Sequence, residues 1–560
     1  MSVPLAQRES PTTCRVMLAA FIGKLRASEF KWCSASPALR LSLPAARPMP
    51  DKSHTFQIRQ AIPGGSMRKF TEIGKVGQNA SSALVARHGK EQDALGDGNL
   101  RGNREAPKPR RVAIIGAGAS GLGVAWALSQ HPDRFEIRVY EAQDQIGGNA
   151  ITVDMPQDDG TTIPFDISVT ALIPSVYHHI VLLMRQLDIE LVDTVFSYSV
   201  NYRGEAYAHD MDSGVREQCQ AEIERFQGLL RCLQWFGRLN RTRSKLLGFL
   251  NPFNFVSMGA VLNLGGFSGD FRYKVLKPMF VNFLMATNVF DMPASLFARY
   301  LEFFDIESAT PMQTWDQGTR RIYEGLSAGF RDRIYLQRPV RKVFRRQSGV
   351  VVEDENGQSE PFDDVVFACN ANQTLMIVDK PSFIERWLLS AIRYESELHN
   401  HTVVHSDASV LPDSAAKPIS TRSNHIEQFG ARPDNYEITY IMHNQQPWAG
   451  RSDKPCLVTY NPASRIDEAK IVKRWWFQHV VHDVRHVALL IHCFRLVQGR
   501  RRTWHCGAHT LLNSQETCFV SGLVTARQMG ADYPFQDAEA RKWFNFYGRM
   551  MYGWRFRKAR

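Results

Sequence analysis

Three glycines at a fixed spacing are the residues in this chain whose types point most directly to a chemistry. Gly116, Gly118 and Gly121 follow a β-branched run at residues 111–115 and precede a helix-forming segment. Glycines placed in this way let the backbone turn sharply, approach a pyrophosphate closely and pack the helix against the strand. The phosphate charge then lies at the helix N-terminus, where unpaired amides favour it. The spacing therefore predicts a dinucleotide site.

A second predicted strand and an acidic residue place this turn in a βαβ unit. Residues 136–140 form the strand, and Glu141 follows it, twenty residues beyond Gly121. An acid at this distance accepts hydrogen bonds from a ribose hydroxyl. A tight turn with a surface glutamate would not account for the order strand, turn, helix, strand and acid. Ala119 and Ser120, which begin the helix, belong to the same predicted phosphate site.

The residues after Glu141 resemble the FAD-binding members of the two-dinucleotide-binding-domain flavoproteins. The resemblance lies in the pair Gly147 and Gly148, followed by Asn149. In that family the paired glycines bring backbone amides to the phosphates of the flavin cofactor, so the resemblance implies FAD rather than NAD. Asn149 departs from the family, where arginine is common at this place. Taken alone, the glycine pair would equally suit an ordinary loop.

A segment near the end of the chain, residues 499–509, resembles the closing segment of flavin-containing amine oxidases and their relatives. In that family this segment returns to the FAD domain and places a helix N-terminus near the ribityl chain and the isoalloxazine. The positions carried over are Gly507, Glu516 and Gly522. We expect Cys506 to be a small buried residue rather than a nucleophile, because nothing near it in the sequence lowers its pKa.

The middle of the chain contains a predicted hairpin. Valines at 350–352 stand in an alternating segment, and Asn356-Gly357 follows as a turn. In the amine-oxidase-like flavoproteins the residue at the place of Val340 meets the adenine through its backbone. We therefore expect Val340 to contact the cofactor and the other residues here to be core strands.

The resemblance covers most of residues 107–533 and implies an α/β fold. A Rossmann-type, amine-oxidase-like FAD-binding domain is expected to be interleaved with a mixed α+β substrate domain. The expected division is a leader at 1–106, a discontinuous FAD-binding domain at 107–168, 315–375 and 495–533, a substrate domain at 169–314 and 376–494, and a basic, aromatic C-terminal segment at 534–560.

The charge of the chain is concentrated in its leader. Residues 1–110 hold 18 Lys and Arg against 8 Asp and Glu, which leaves 50 against 48 in the remainder. A nearly neutral body excludes nucleic acid as the expected partner. The leader resembles a transit peptide in composition, but a disordered extension or a wrong gene start suits its length better. We expect a cytoplasmic protein, with mitochondrial or peripheral membrane location as the alternatives.

Neither metal chemistry nor disulfides are expected. The nine cysteines form no CxxC pair, and the pair His178 and His179 has no second ligand set at metal-like spacing. Residues 246–269 carry no charge, but their glycines, asparagines and Pro252 make a membrane span improbable. We interpret them either as the lining of an apolar cavity or as plain core. The aromatic and basic residues at 541–558 suit peripheral membrane contact or a docking helix with buried aromatics.

The predicted function is that of an FAD-dependent oxidoreductase acting on a small hydrophobic or lipid-like substrate, with FAD held non-covalently. Alternatives are a redox-neutral isomerase or desaturase, a true amine oxidase, and a non-enzymatic lipid or prenyl carrier. Intact fingerprint glycines disfavour the carrier. No catalytic base is assigned; Trp504, Tyr273 and Lys277 are sequence candidates for the aromatic cage and lysine common in the superfamily. The sequence predicts no oligomeric state.

Overall fold

The predicted leader at 1–106 lies outside the residues whose structure is known. The computed structural model describes residues 108–208, 214–241, 250–286, 288–304, 306, 310–395, 401–412, 424–433 and 435–559.

Strands in the described residues are β1 (Arg110–Ile115), β2 (Phe135–Tyr140), β3 (Thr152–Pro156), β4 (Thr162–Asp166), β5 (Leu191–Phe196), β6 (Tyr198–Tyr202), β7 (Glu205–Ala208), β8 (Thr310–Trp315), β9 (Ile334–Tyr335), β10 (Val340–Arg345), β11 (Val350–Asp354), β12 (Ser359–Phe362), β13 (Asp364–Phe367), β14 (His401–His405), β15 (Asn424–Gln428), β16 (Tyr436–Ile441), β17 (Leu457–Tyr460), β18 (Ile471–Trp476) and β19 (Thr503–His505).

Helices in the described residues are α1 (Ala119–Ser129), α2 (His178–Gln186), α3 (Gly214–Gly237), α4 (Met258–Leu264), α5 (Lys277–Leu284), α6 (Ala294–Tyr300), α7 (Thr319–Ser327), α8 (Ala371–Ile377), α9 (Phe383–Ser390), α10 (Met442–Gln445), α11 (Ile491–Cys493), α12 (Gln515–Met529) and α13 (Ala538–Tyr552). Single π-helical segments, Phe271–Leu276 and His486–Leu490, lead into α5 and α11.

A five-stranded parallel sheet positions the glycine turn. Its strand order is β19-β13-β1-β2-β9, and Val112 of β1 pairs with Ile137 of β2 on one side and Asp364 of β13 on the other. Val112 and Ala113, whose side chains point to opposite faces of β1, are both fully buried, as expected for a parallel strand whose two faces are covered. The predicted unit of strand, turn, helix and strand is therefore confirmed.

Helices α1 and α12 pack against each other unusually closely because glycines line their contact. A Cβ atom on Gly522 would lie 2.1 Å from the carbonyl oxygen of Ser120, and one on Gly123 would lie 2.9 Å from that of Phe519. Only glycine fits at such distances. The end of the chain is thereby held against the first helix of the βαβ unit.

The predicted hairpin is present as the β11–β12 pair. Strand β10 pairs with β11 on its other side, which gives a three-stranded antiparallel sheet of order β10-β11-β12. Gly357 has a φ of +78°, the left-handed conformation that the Asn-Gly turn between β11 and β12 requires. Val350 and Val352 point into a shared apolar core with Val343 and Phe362. This small sheet places Val340, the first residue of β10, beside the parallel sheet.

A seven-stranded mixed sheet forms the other half of the described structure. Its order is β18-β14-β17-β16-β15-β6-β7, with β15 and β6 parallel and the other neighbours antiparallel. All of its strands fall within residues 169–314 and 376–494, whereas the parallel sheet is drawn from 107–168, 315–375 and 495–533. On this distribution we propose the same division into a discontinuous FAD-binding domain and a substrate domain.

The uncharged segment at 246–269, which the structure describes from residue 250 onward, is partly buried, with Leu250 and Phe255 exposed. Phe253, Met258, Val261 and Leu262 are buried, and of residues 250–269 only Asn254 reaches the large cavity described below. Among the described helices, none combines the length and the apolarity needed to cross a bilayer. The described part of this segment therefore contributes little to the cavity lining and supplies a few apolar side chains to the core.

Candidate active site

One large cavity contains most of the residues predicted to bind the cofactor. Its volume is about 1510 Å³. That exceeds the roughly 300–1,000 Å³ of ordinary small-molecule pockets, so the cavity has room for a dinucleotide and a second molecule. The predicted residues on its wall are Gly116, Gly118, Ala119, Ser120, Glu141, Gly147, Gly148, Asn149, Val340 and Gly507. Gly121, Glu516 and Gly522, which the structure also describes, lie behind this wall.

The three glycines of the turn have different physical reasons to be glycine. Gly116 has a φ of +106°, and a Cβ on Gly121 would lie 1.9 Å from the carbonyl oxygen of Gly116. Gly118 has φ −76° and ψ −179°, a conformation open to any residue, and its nearest neighbour would be the Cα of Gly148 at 3.6 Å. A Cβ on Gly118 would therefore meet Gly148 only at an ordinary contact distance, and because Gly118 lies on the cavity wall, a ligand there is what would require the absence of a side chain.

The N-terminus of α1 faces the same space. Among the described residues, no side chain caps this helix, and its first turn holds no acidic residue. The first amides of a helix that lack a side-chain acceptor form a site for phosphate oxygens. This arrangement fits the pyrophosphate of a dinucleotide.

Glu141 is held in place by backbone amides. Its Oε2 accepts from Ala117 N at 2.7 Å, and its Oε1 accepts from Gln143 N at 2.9 Å. Burial raises the pKa of Glu141, and the hydrogen bonds from the two amides oppose that rise. The carboxylate is therefore fixed at the end of β2 and faces the cavity, where a ribose hydroxyl would find an acceptor.

The glycine pair closes over the turn. Gly147 N donates to Ala117 O at 2.9 Å, and both Gly147 and Gly148 have positive φ angles. A Cβ on Gly148 would lie 3.0 Å from the Cα of Gly118. The two glycine motifs therefore touch, and their backbones form one continuous wall with Asn149.

Of the three cofactor contacts predicted near the end of the chain, one lies on the cavity wall and two lie behind it. Gly507 lies on the wall, with a φ of +117°, and its N–H donates to Ser521 Oγ at 2.9 Å. Gly522 lies in the α1–α12 contact. Glu516 accepts from the amides of His179 and Ile180 at the start of α2 and lies 2.6 Å from His179 Nδ1.

The three catalytic candidates from the sequence do not lie on the cavity wall. Trp504 Nε1 donates to Asp364 Oδ1 at 3.1 Å beside the parallel sheet. The Lys277 ammonium lies 5.8 Å from the ring of Tyr273 and 5.9 Å from that of Tyr436. Lys277 is buried and Tyr273 is partly buried, both away from the cavity, so no aromatic cage at the cavity is built from this set. Cys506 is fully buried, as predicted, and burial raises its pKa.

The rest of the cavity has an apolar wall contributed by residues within 169–314 and 376–494. Phe283 contacts Phe196 with ring centroids 5.9 Å apart and Phe304 at 4.2 Å. The apolar and aromatic residues lining this chamber include Phe196, Phe283, Met285, Tyr300, Phe303, Phe304, Met312 and Tyr440. We call this part of the cavity the aromatic chamber.

Sequence reasoning missed two further parts of the wall. The C-terminal helix α13 contributes Trp543, Tyr547 and Met550, and β18 contributes Trp475 and Trp476. In α13, Phe544, Met551 and Tyr552 are buried, as a docking helix requires, and His178 stacks on Trp543 at 6.0 Å. The interleaved aromatic composition of both segments was visible in the sequence, but not its direction toward the cavity.

The described residues contain no group of three or more His, Cys, Asp and Glu side chains arranged to hold a metal ion. His179 is engaged by Glu516 and by the Tyr533 hydroxyl, 3.1 Å from its Nε2. The pair at 178–179 therefore has structural partners.

Comparison with known families identifies the chain. The family model for flavin-containing amine oxidoreductases matches residues 119–436, more than half of the sequence. The chain belongs to this family. It is therefore an FAD-dependent oxidoreductase, and FAD is its cofactor. No curated protein matches the chain in sequence.

Solved structures share the fold of this family member. A CLA-producing fatty acid isomerase from P. acnes is similar at a TM-score of 0.53 and 19% identity, over 75% of this chain and 99% of that chain. Cyclohexylamine oxidase from Brevibacterium oxydans IH-35A gives 0.52 and 14%, over 75% and 99%. Putrescine oxidase bound to putrescine gives 0.52 and 14%, over 75% and 99%. The predicted α/β class, with a Rossmann-type FAD-binding fold, is confirmed.

Proposed function

We propose that this flavoenzyme dehydrogenates or oxidises a small hydrophobic or lipid-like organic substrate by hydride transfer to FAD. One observation carries the proposal: the cavity that holds the glycine turn and Glu141 continues into the aromatic chamber. When bound, FAD supplies a ring that takes up a hydride or two electrons. An apolar compartment next to it suits the C–H or C–N bond of an oily molecule and keeps water out.

The residues of the turn suit FAD in distinct roles. We assign the pyrophosphate to the backbone of Gly118, Ala119 and Ser120 together with the glycine pair, and the ribose to Glu141. Val340 is assigned to the adenine through its backbone, because it lies on the same wall. These roles need no covalent link, so we propose that FAD is held non-covalently.

The end of the chain is assigned a mixed role. Gly507 contributes directly to the cavity, whereas Glu516 and Gly522 are assigned to positioning α12. Gly522 brings α12 against α1, and Glu516 connects α12 to α2. In this proposal Glu516 and Gly522 act on the cofactor through the placement of these helices.

The side chains of the aromatic chamber bind and orient the substrate by apolar contact. Of the acidic residues lining the described cavity, Glu141 and Glu355 lie at the end assigned to the nucleotide. Glu355 is placed there because its amide donates to the carbonyl oxygen of Pro339, the residue before Val340. Glu302 is ion-paired with Arg299. A diamine substrate would need carboxylates placed for its ammonium groups, so this composition favours an apolar substrate over a polyamine.

The proposal is tested with the purified protein and its absorption spectrum. We expect a yellow protein whose flavin band bleaches anaerobically with fatty acids or other oily compounds, in a panel that also contains amines and polyketides. A colourless protein that takes up no added FAD would contradict the cofactor assignments. Turnover without net bleaching would indicate a redox-neutral isomerase, and bleaching by small polar amines alone, with release of peroxide and ammonia, would indicate a true amine oxidase.

A further inference from the structure

A buried amide at the edge of the aromatic chamber has no hydrogen-bond partner among the residues that the structure describes. Asn282 lies in the last turn of α5 on the cavity wall and is fully buried. Its backbone carbonyl accepts from the Tyr440 hydroxyl at 2.8 Å. Within the described part of the chain, neither Nδ2 nor Oδ1 of its side chain has a hydrogen-bond partner. A buried polar group left in this state destabilises a fold, so its presence requires an explanation.

His479, on the wall of the same cavity, adds a second unpaired atom near the C-terminal end of α5. Its imidazole donates to the carbonyl of Met285, one helical turn beyond Asn282, and its Nδ1 has no partner among the described residues. His479 also lies on the cavity wall and is about nine-tenths buried, with its ring stacked on Phe477 at 5.5 Å.

The protonation of this pair follows from its surroundings. Burial lowers the pKa of His479 to about 4, so the ring is neutral near pH 7. With its other nitrogen donating to Met285, Nδ1 is a bare acceptor. The two residues therefore offer one donor, Asn282 Nδ2, and two acceptors, Asn282 Oδ1 and His479 Nδ1.

We propose that Asn282 and His479 bind an uncharged polar group of the substrate, a hydroxyl or a primary amide, at the edge of the aromatic chamber. The inference rests on the proposed oxidation of an apolar substrate in this cavity. A primary amide offers two donors and a carbonyl oxygen, which complements the set, and a hydroxyl satisfies part of it. A carboxylate could accept only from Nδ2 and would face two acceptors, and an ammonium could donate to the two acceptors but would lose its hydration with no carboxylate in the set to balance its charge.

The test measures binding by calorimetry on the FAD-loaded protein without turnover. The probes share one chain length and differ in head group: decan-1-ol, decanamide, decanoate and decylamine. We expect decan-1-ol and decanamide to bind about tenfold more tightly than the two charged probes, the size of one or two net hydrogen bonds. Asn282→Leu should reduce this preference to less than twofold and raise the midpoint of thermal unfolding, because the unpaired amide is removed.

A matched control distinguishes this role from a structural one. Asn251 is also fully buried, but its side chain accepts from Phe253 N at 3.1 Å and donates to Asn240. Asn251→Leu should lower the unfolding midpoint and leave the order of the probes unchanged. His479→Phe keeps the stacked ring, removes the acceptor and should weaken decanamide binding severalfold, which provides a second test if Asn282→Leu does not fold.

Tightest binding of decanoate or decylamine, or an unchanged preference in both Asn282→Leu and His479→Phe, would overturn this inference. These outcomes are independent of the proposed function, because the probes are compared by affinity. Loss of flavin reduction with a preserved probe order would contradict only the proposed reaction. Flavin bleaching by oily substrates with no preference among head groups would contradict only the role of Asn282 and His479.

Discussion

Nδ1 of His179 lies 2.6 Å from Oε1 of Glu516, and both side chains are buried. The same carboxylate accepts from the amides of His179 and Ile180, so it caps α2 from a position 337 residues further along the chain. Carboxylates at helix N-termini are favoured by the unpaired amides and the helix dipole. Glu516, in α12, therefore connects this late helix to α2.

The first prediction follows from this contact. Glu516→Ala should lower the free energy of unfolding by about 3–5 kcal/mol, because it leaves buried amides and an imidazole without their acceptor. Urea denaturation of the FAD-free protein measures this loss. Glu516→Gln keeps one carbonyl acceptor and should lose less. A normal unfolding free energy combined with weak FAD binding in Glu516→Ala would instead indicate a direct contact with the cofactor.

The second prediction separates two glycines of one turn. Gly118→Val should fold but fail to retain FAD, because its backbone conformation suits any residue and its side chain would fill the cavity. Gly121→Ala should be unstable, because its Cβ would lie 1.9 Å from the Gly116 carbonyl oxygen. Circular dichroism and the flavin absorption of the purified variants measure the two effects. A folded, fully yellow Gly118→Val protein would show that the pyrophosphate lies elsewhere.

The third prediction concerns acid. His482 and His486 are hydrogen-bonded through their Nδ1 atoms at 3.1 Å, His482 Nε2 accepts from Asn513 N at 2.8 Å, and His486 Nε2 donates to His509 O. Each ring thus carries one proton. Burial lowers the pKa of His486 to about 4, with the nearby Asp483 opposing the fall and Arg485 adding to it.

The unfolded state binds the His486 proton more readily than the folded state does. The contribution of neutral His486 to the free energy of unfolding is therefore complete above pH 6.5 and is lost as the pH falls toward 4. For His486 the loss at pH 5 is about 2 kcal/mol. Urea denaturation at pH 7 and pH 5 should show this slope, and His486→Gln should reduce it. An identical slope in His486→Gln would assign the acid sensitivity to other buried histidines, such as His505, whose pKa burial also lowers to about 4.

The fourth prediction addresses membrane contact, which we retain as a proposal. Trp554 is 86% exposed, and its ring lies 6.0 Å from the guanidinium of Arg495. Aromatic and basic residues together suit an anionic lipid surface. Trp554→Ala should reduce co-flotation with vesicles that contain phosphatidylserine, without loss of flavin. Deleting residues 541–560 is a poor test, because it would remove part of the cavity wall. Equal flotation of wild type and Trp554→Ala would remove the proposal.

The parts of the fold that the sequence predicted are those whose geometry is local. The strand, the glycine turn, α1 and Glu141 follow one another within about thirty residues, so spacing alone determines how they meet. The Asn-Gly turn between β11 and β12 is local in the same way. The steric demand at Gly121 could be predicted because the helix and the turn it touches are neighbours along the chain.

The parts that could not be predicted depend on distant contacts. The residue types of Trp504 and Lys277 suit an aromatic cage and its lysine. In the structure Trp504 is hydrogen-bonded to Asp364, and Lys277 lies beside the rings of Tyr273 and Tyr436. Asn282, by contrast, was not a candidate from the sequence, because one polar residue in an apolar helix gives no periodic signal. Only the arrangement of α5 against the cavity shows that its amide lacks a partner.

The edge strand β19 joins the parallel sheet through pairs such as Val365 with Thr503, and it begins almost four hundred residues after β1. During synthesis the nucleotide fold therefore remains without this edge until His505, the last residue of β19, has left the ribosome. Nascent chains arrested before β19 has emerged should then be colourless, and chains arrested after it has emerged should be able to retain flavin.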